Sequence, residues 1–104
     1  MNRYSVVYML KKQYYHISCR TNSEAVSVLD HLSSLDEHSP IGIYDAKTEL
    51  FHWEPQRQYE YNRAQIDEQG KLADQIIQTA QALRLANQTI TYQLTPDTQS
   101  RLMA

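Results

Sequence analysis

The sequence predicts an α+β fold: a two-layer sandwich with a mainly antiparallel sheet, in the order β-β-α-β-β-α-β, with helices on one face. Three observations carry that expectation. Short stretches alternate apolar and polar residues and come in two adjacent pairs, as hairpins do. Between and after the pairs stand segments whose apolar residues recur at helical spacing. Hairpin-linked strands pair antiparallel, and such sheets commonly pack one face on helices.

The chain has 104 residues, the length of one domain, and enough surface to bury for folding without disulfides or metal. A single domain is therefore expected over 1–104. Two hairpins around a short helix occupy 1–54, a long helix and a last strand occupy 55–95, and a tail occupies 96–104.

In the first hairpin, Tyr4, Val6, Tyr8 and Leu10 alternate along one strand, and Tyr15, Ile17 and Cys19 along the next. If Lys11 and Lys12 form a two-residue turn, Leu10 faces Gln13, Tyr8 faces Tyr15, Val6 faces Ile17 and Tyr4 faces Cys19. Directly opposed residues share a face, so the two apolar sets fall together. A slip of one residue would split them. Lys-Lys is a poor pair for such a turn beside Asn-Gly, which leaves a longer loop as the alternative.

The short helix opens at Thr21, with Glu24 three residues on in capping-box spacing and with Asn22 and Ser23 as rival caps. Ala25, Val28, Leu29, Leu32 and Leu35 form its apolar stripe. Asp36 and Glu37 sit badly against the negative end of a helix dipole, so the helix is expected to end near Leu35. Ile41 to Tyr44 and Leu50 to Trp53 read as the second hairpin, its loop started by Asp45, whose side chain can bond the backbone two residues on.

Pro55 is suited to the first position of the next helix. From Gln56 to Ala86 the helical signal is the strongest in the chain, with Ile66, Gly70, Ala73, Ile76, Ile77, Ala80 and Leu83 along one face. About 30 residues of helix would run roughly 45 Å, more than the width of such a domain. Either the segment breaks near Asn62 or one end projects. Asn87 can close it. Ile90, Tyr92 and Leu94 alternate within a last strand from Thr89 to Leu94, and Thr95-Pro96-Asp97 can start a short terminal helix.

Composition narrows the chemistry. A formal charge of −2 supplies no long-range field for gathering nucleic acid or anionic membrane. With only Gly42 and Gly70, phosphate-cradling loops that need clustered glycines are disfavoured. Gly70-Lys71-Leu72 lacks the upstream glycine and following hydroxyl of a P-loop. Cys19 is the only cysteine, so no intramolecular disulfide forms. The apolar run from Val6 to Leu10 is too short for a signal-peptide core, and no segment approaches a membrane-spanning length. A cytoplasmic address is the expectation.

Neither a cofactor nor a metal site is expected. His31 and His38 stand seven residues apart, whereas two ligands on one helix usually stand four apart. His52 and Glu54 share a strand face but supply two ligands where zinc takes three or four. Cys19 lies on the core face of its strand with His16 on the opposite face, which suits a buried hydrophobe rather than a nucleophile.

The second face of the sheet remains. Val7, Met9, Tyr14 and His16, flanked by Arg3 and Arg20, would lie bare if both helices covered the other side, with Trp53 of the second hairpin extending the patch. Exposed apolar and aromatic surface of this kind marks interfaces. The expected function is a small non-enzymatic binding or regulatory module. It self-associates, as a homodimer, or binds a protein partner through this aromatic face or through the long helix. One alternative is a single-stranded nucleic-acid-binding module that uses sheet tyrosines and arginines. Another is a small enzyme with His16 or His52 as acid/base, which needs a concave pocket. A fourth reading has the tyrosines filling the core and the C-terminal segment folding over the face.

Overall fold

The structure is a computed structural model that describes residues 2–93, with side chains described to residue 86. Its elements are β1 (Tyr4–Leu10), β2 (Gln13–Cys19), α1 (Asn22–Ser33), β3 (His38–Asp45), β4 (Leu50–Trp53), α2 (Pro55–Arg63) and α3 (Ile66–Gln93). The fold is α+β, with an antiparallel sheet in the order β2-β1-β3-β4.

The first hairpin takes the register that side-chain parity demands, Leu10 against Gln13 through to Tyr4 against Cys19. Lys11 and Lys12 close it as a two-residue turn, both with positive φ, 51° and 69°. That is the type I′ geometry, whose twist matches the strands. Packing of the alternating residues outweighs the preference of lysine for other backbone regions.

β2 and β3 run in the same direction with β1 between them, so α1 forms a crossover, a split β-α-β unit. Thr21 caps α1 by accepting from the Glu24 amide at 3.1 Å, and the Glu24 carboxylate accepts from the Arg20 amide at 2.9 Å. The helix ends at Ser33, with Ser34 as its cap. Ala25, Leu29 and Leu32 are buried against Val6, Cys19 and Ile43, with Val28 packed alongside, whereas Leu35 is exposed.

β3 carries Pro40, which cannot donate to a ladder. Its pairing with β1 shifts register between Val7 and Tyr8, which leaves Ile41 as the extra residue of a bulge. β4 pairs only with Gly42 to Asp45, so Pro40 lies beyond the reach of that neighbour. In the second hairpin the Asp45 carboxylate accepts from the Lys47 amide at 3.0 Å, two residues on.

Pro55 opens α2, capped by the Glu54 side chain, and the helical segment breaks at Ala64–Gln65. The Gln69 side chain donates to the Tyr61 and Ala64 carbonyls at this break. α3 is long as well as separate: its 28 residues span about 42 Å.

Two details depart from the sequence reading, and a third lay outside it. First, residues 89–93, expected as a last strand, continue α3. Between Gly70 and Pro96 the sequence has neither glycine nor proline. Adding a residue to a formed helix gains a hydrogen bond without a new nucleus. Asn87 alone does not stop it. Second, the helices do not share one face, so the layers number three rather than two. α1 covers one side, and α3 covers the other through Ile76 and Ala80 on Val7, Ile41 and Tyr44. The cause is the adjacent pair Val6 and Val7, which point to opposite faces of β1 and are both fully buried. Third, the pairing of β1 with β3 makes β2 an edge strand, which local spacing does not specify. Leu94, the expected helix from Thr95 and the tail 96–104 lie outside the described residues.

Candidate interaction surface

The residues expected on a bare sheet face are divided by α3. Val7 is fully buried beneath it, and Met9 packs against the same cluster. That face is the seat of α3 rather than an open aromatic surface. His16 is half-buried there, its Nδ1 3.1 Å from Ser5 Oγ. Arg84 of α3 donates to the same Ser5 oxygen at 2.8 Å and to the Asn2 carbonyl at 2.7 Å. Ser5 is fully buried, and this group clasps α3 to the sheet.

Arg3 is tied to Asp45, with its side chain still 40% exposed. Its Nε and Nη2 donate to the two Asp45 carboxylate oxygens, each at 2.8 Å. The guanidinium hydrogen bonds hold the Asp45 carboxyl well below the usual carboxylate range, against the opposing effect of burial. Trp53 is half-buried in an aromatic group, edge-on to Phe51 with centroids 5.0 Å apart and tilted on Tyr61 at 5.2 Å. Arg20 is exposed. Of the seven residues, Tyr14 and Arg20 are exposed, Tyr14 lining a crevice with Trp53, Leu72 and Ile76 beside α3.

Tyr14 belongs to β2, and β2 brings the exposed features together. Among the described residues it has β1 on one side and no strand on the other. It is seven residues long, its register with β1 is unbroken, and it contains neither a charged residue nor proline. Tyr14, Tyr15 and Ile17 are 41%, 40% and 36% exposed. Natural edge strands are guarded by charge, proline, bulges or shortness. β2 has none of these guards.

Its backbone polarity follows from the turn. A two-residue turn closes on a hydrogen-bonded pair, here Leu10 and Gln13, and such pairs alternate along the ladder. Gln13, Tyr15, Ile17 and Cys19 therefore turn their main-chain groups to β1. Tyr14, His16 and Ser18 turn theirs to the outer edge.

On the α1 side a row of rings crosses the sheet. Tyr15 stacks on Tyr8, and Tyr8 on His38, each with centroids 5.7 Å apart. The row ends at Tyr15, the ring nearest the open edge. Cys19 is buried in the core, and burial pushes its thiol up, as expected of an inert cysteine.

A groove of about 550 Å³ lies between α1 and β4 and is lined by Tyr4, Val26, Leu29, Asp30, Ile43 and His52. The volume is within the range of ligand sites. His52 is therefore on a concave wall, while Asp45, which also lines the groove, is committed to Arg3. Among the described residues no three His, Cys, Asp or Glu side chains gather as metal ligands, and no helix is long and apolar enough to cross a membrane.

No protein-family model, curated protein or solved structure matches the chain. The surface has to be read from its own chemistry. The uncharged stretch from Gln13 to Cys19 was visible in the sequence, but its position at a sheet edge was not.

Proposed function

We propose that this chain is a non-enzymatic binding or regulatory module, cytoplasmic, that acts by associating with further copies of itself. The observation that carries the reading is the unguarded edge strand β2, with Tyr14, Tyr15 and Ile17 exposed along it. An open edge of this kind is a template for strand addition, in which main-chain hydrogen bonds supply affinity and alternate side chains supply specificity. The long helix, the other surface considered for association, is engaged on the sheet between Ile76 and Arg84. Light scattering after size exclusion, at high and low micromolar concentration, tests the proposal. The expected result is a dimer mass that falls towards the monomer on dilution. A monomer throughout removes the reading.

A second reading rests on the ring row of Tyr15, Tyr8 and His38, with Lys11 and Lys12 at the end of the same strands. Aromatic faces with nearby cations suit single-stranded nucleic acid. The rings engage one another, however, and Arg3 is held by Asp45. This reading requires a rise in fluorescence anisotropy of a labelled single strand at low salt, reversed steeply by added salt. An unchanged signal at low salt excludes it.

A further inference from the structure

Resting on the self-association proposed above, we infer that two copies join β2 to β2, antiparallel, about a two-fold axis through His16, so that the two sheets become one. A two-fold perpendicular to the sheet reverses the strand and keeps each face on its own side. Directly opposed residues share a face. Hydrogen-bonded pairs also require that outward-turned residues oppose outward-turned residues.

Few registers meet both conditions. An axis between two residues would set the outward groups of one copy against inward-turned residues of the other. With the axis on Tyr15, Ser18 falls opposite the turn residue Lys12. With the axis on Ile17, Tyr14 falls opposite Arg20. With the axis on His16, the whole of Gln13 to Cys19 overlaps its symmetry mate. Tyr14 then faces Ser18 of the second copy, and each such pair exchanges both of its main-chain hydrogen bonds.

The side chains agree with this register. On the α1 face, Tyr15 meets Ile17 of the second copy, an aromatic and β-branched cross-strand pair, twice by symmetry. The ring row that ends at Tyr15 is thereby continued across the junction. Gln13 to Cys19 contains no Lys, Arg, Asp or Glu, and its one histidine, His16, meets its own symmetry mate at the axis. Lys12 and Arg20 approach one another only at the margins. In this register the second copy completes the apolar pairs through the same residues that this copy offers, which is the condition for a closed isologous interface.

Two variants and one cross-link test the register on the full chain. Ser18→Pro removes an outward amide and leaves the β1–β2 ladder its donors. Ile17→Lys places a charge at the exposed edge, as guarded edges do. Each is expected to weaken dimerisation at least tenfold, read by sedimentation, with circular dichroism unchanged. If Ser18→Pro fails to fold, Ile17→Lys gives the reading by itself. A mixture of Tyr14→Cys and Ser18→Cys chains, oxidised gently, is expected to yield a mixed disulfide-linked dimer, with little linkage in either chain alone. A dimer that ignores both edge substitutions and gives no mixed linkage overturns this register and leaves self-association to another surface. A chain that is monomeric at every concentration overturns both.

Discussion

Asp45 is almost fully buried, and three donors hold it ionised: Arg3 twice and the Lys47 amide. Its folded pKa is depressed, mainly by the Arg3 hydrogen bonds. Its contribution to stability is therefore complete above the unfolded value of about 3.9 and is lost as pH falls through the lower folded value. Thermal melts should show the native chain losing stability progressively below about pH 5, relative to an Asp45→Asn variant that lacks this dependence. Gly42 is the other residue whose identity the fold requires. A Cβ there would strike the His52 carbonyl and lie 2.6 Å and 2.8 Å from two Phe51 ring carbons. The constraint is close approach of β4 to β3, since no glycine has positive φ. Gly42→Ala should cost about 2 kcal/mol through overpacking, measured by chemical denaturation.

At the scale of elements, the Lys11-Lys12 turn is a local cost that its hairpin absorbs. Non-glycine residues in the left-handed region are disfavoured by about 1–2 kcal/mol each. Replacing the pair by Asn-Gly, the preferred type I′ sequence, should raise stability by about 1 kcal/mol with the strand register unchanged. Denaturant midpoint and amide exchange across the β1–β2 ladder would check it. α3 shows the opposite balance. Its helical pattern agrees with its structure as far as Ala86, but the alternation of Ile90 and Tyr92 that suggested a strand does not hold. A helix already anchored by Ile76, Ala80 and the Arg84 clasp extends more readily than a new strand nucleates.

For the whole molecule, among the described residues, α1 and α3 cover opposite faces of the sheet and its edge strands are β2 and β4. β4 is short, with four residues, while β2 offers seven. Among lysines, arginines and carboxylates, association through β2 sets like charge together only at the margins, where Lys12 approaches Arg20 of the second copy. Added salt screens that repulsion. The dimer is therefore expected to hold or tighten between low and high ionic strength, by a few-fold at most, in sedimentation experiments. A nucleic-acid complex would weaken over the same range.

Much of this protein is local and so was legible in the sequence. The register of the first hairpin, the Thr21 cap, the Asp45 turn and Pro55 at a helix start each depend on residues within a few positions of one another. Strand parity and cap spacing act at that range. The placement of Cys19 on the core face follows from the same parity. Of the expected site, Tyr14 and Arg20 remain exposed, while Val7 and Met9 pack beneath α3 and Arg3 turns to Asp45. Only the tertiary structure decided those fates, because they depend on contacts between distant residues. Arg3 meets Asp45, 42 positions away, and Arg84 meets Ser5, 79 positions away. Strand order is of the same kind: β1 pairs with β3, whose residues lie far along the chain, and β2 is left at the edge.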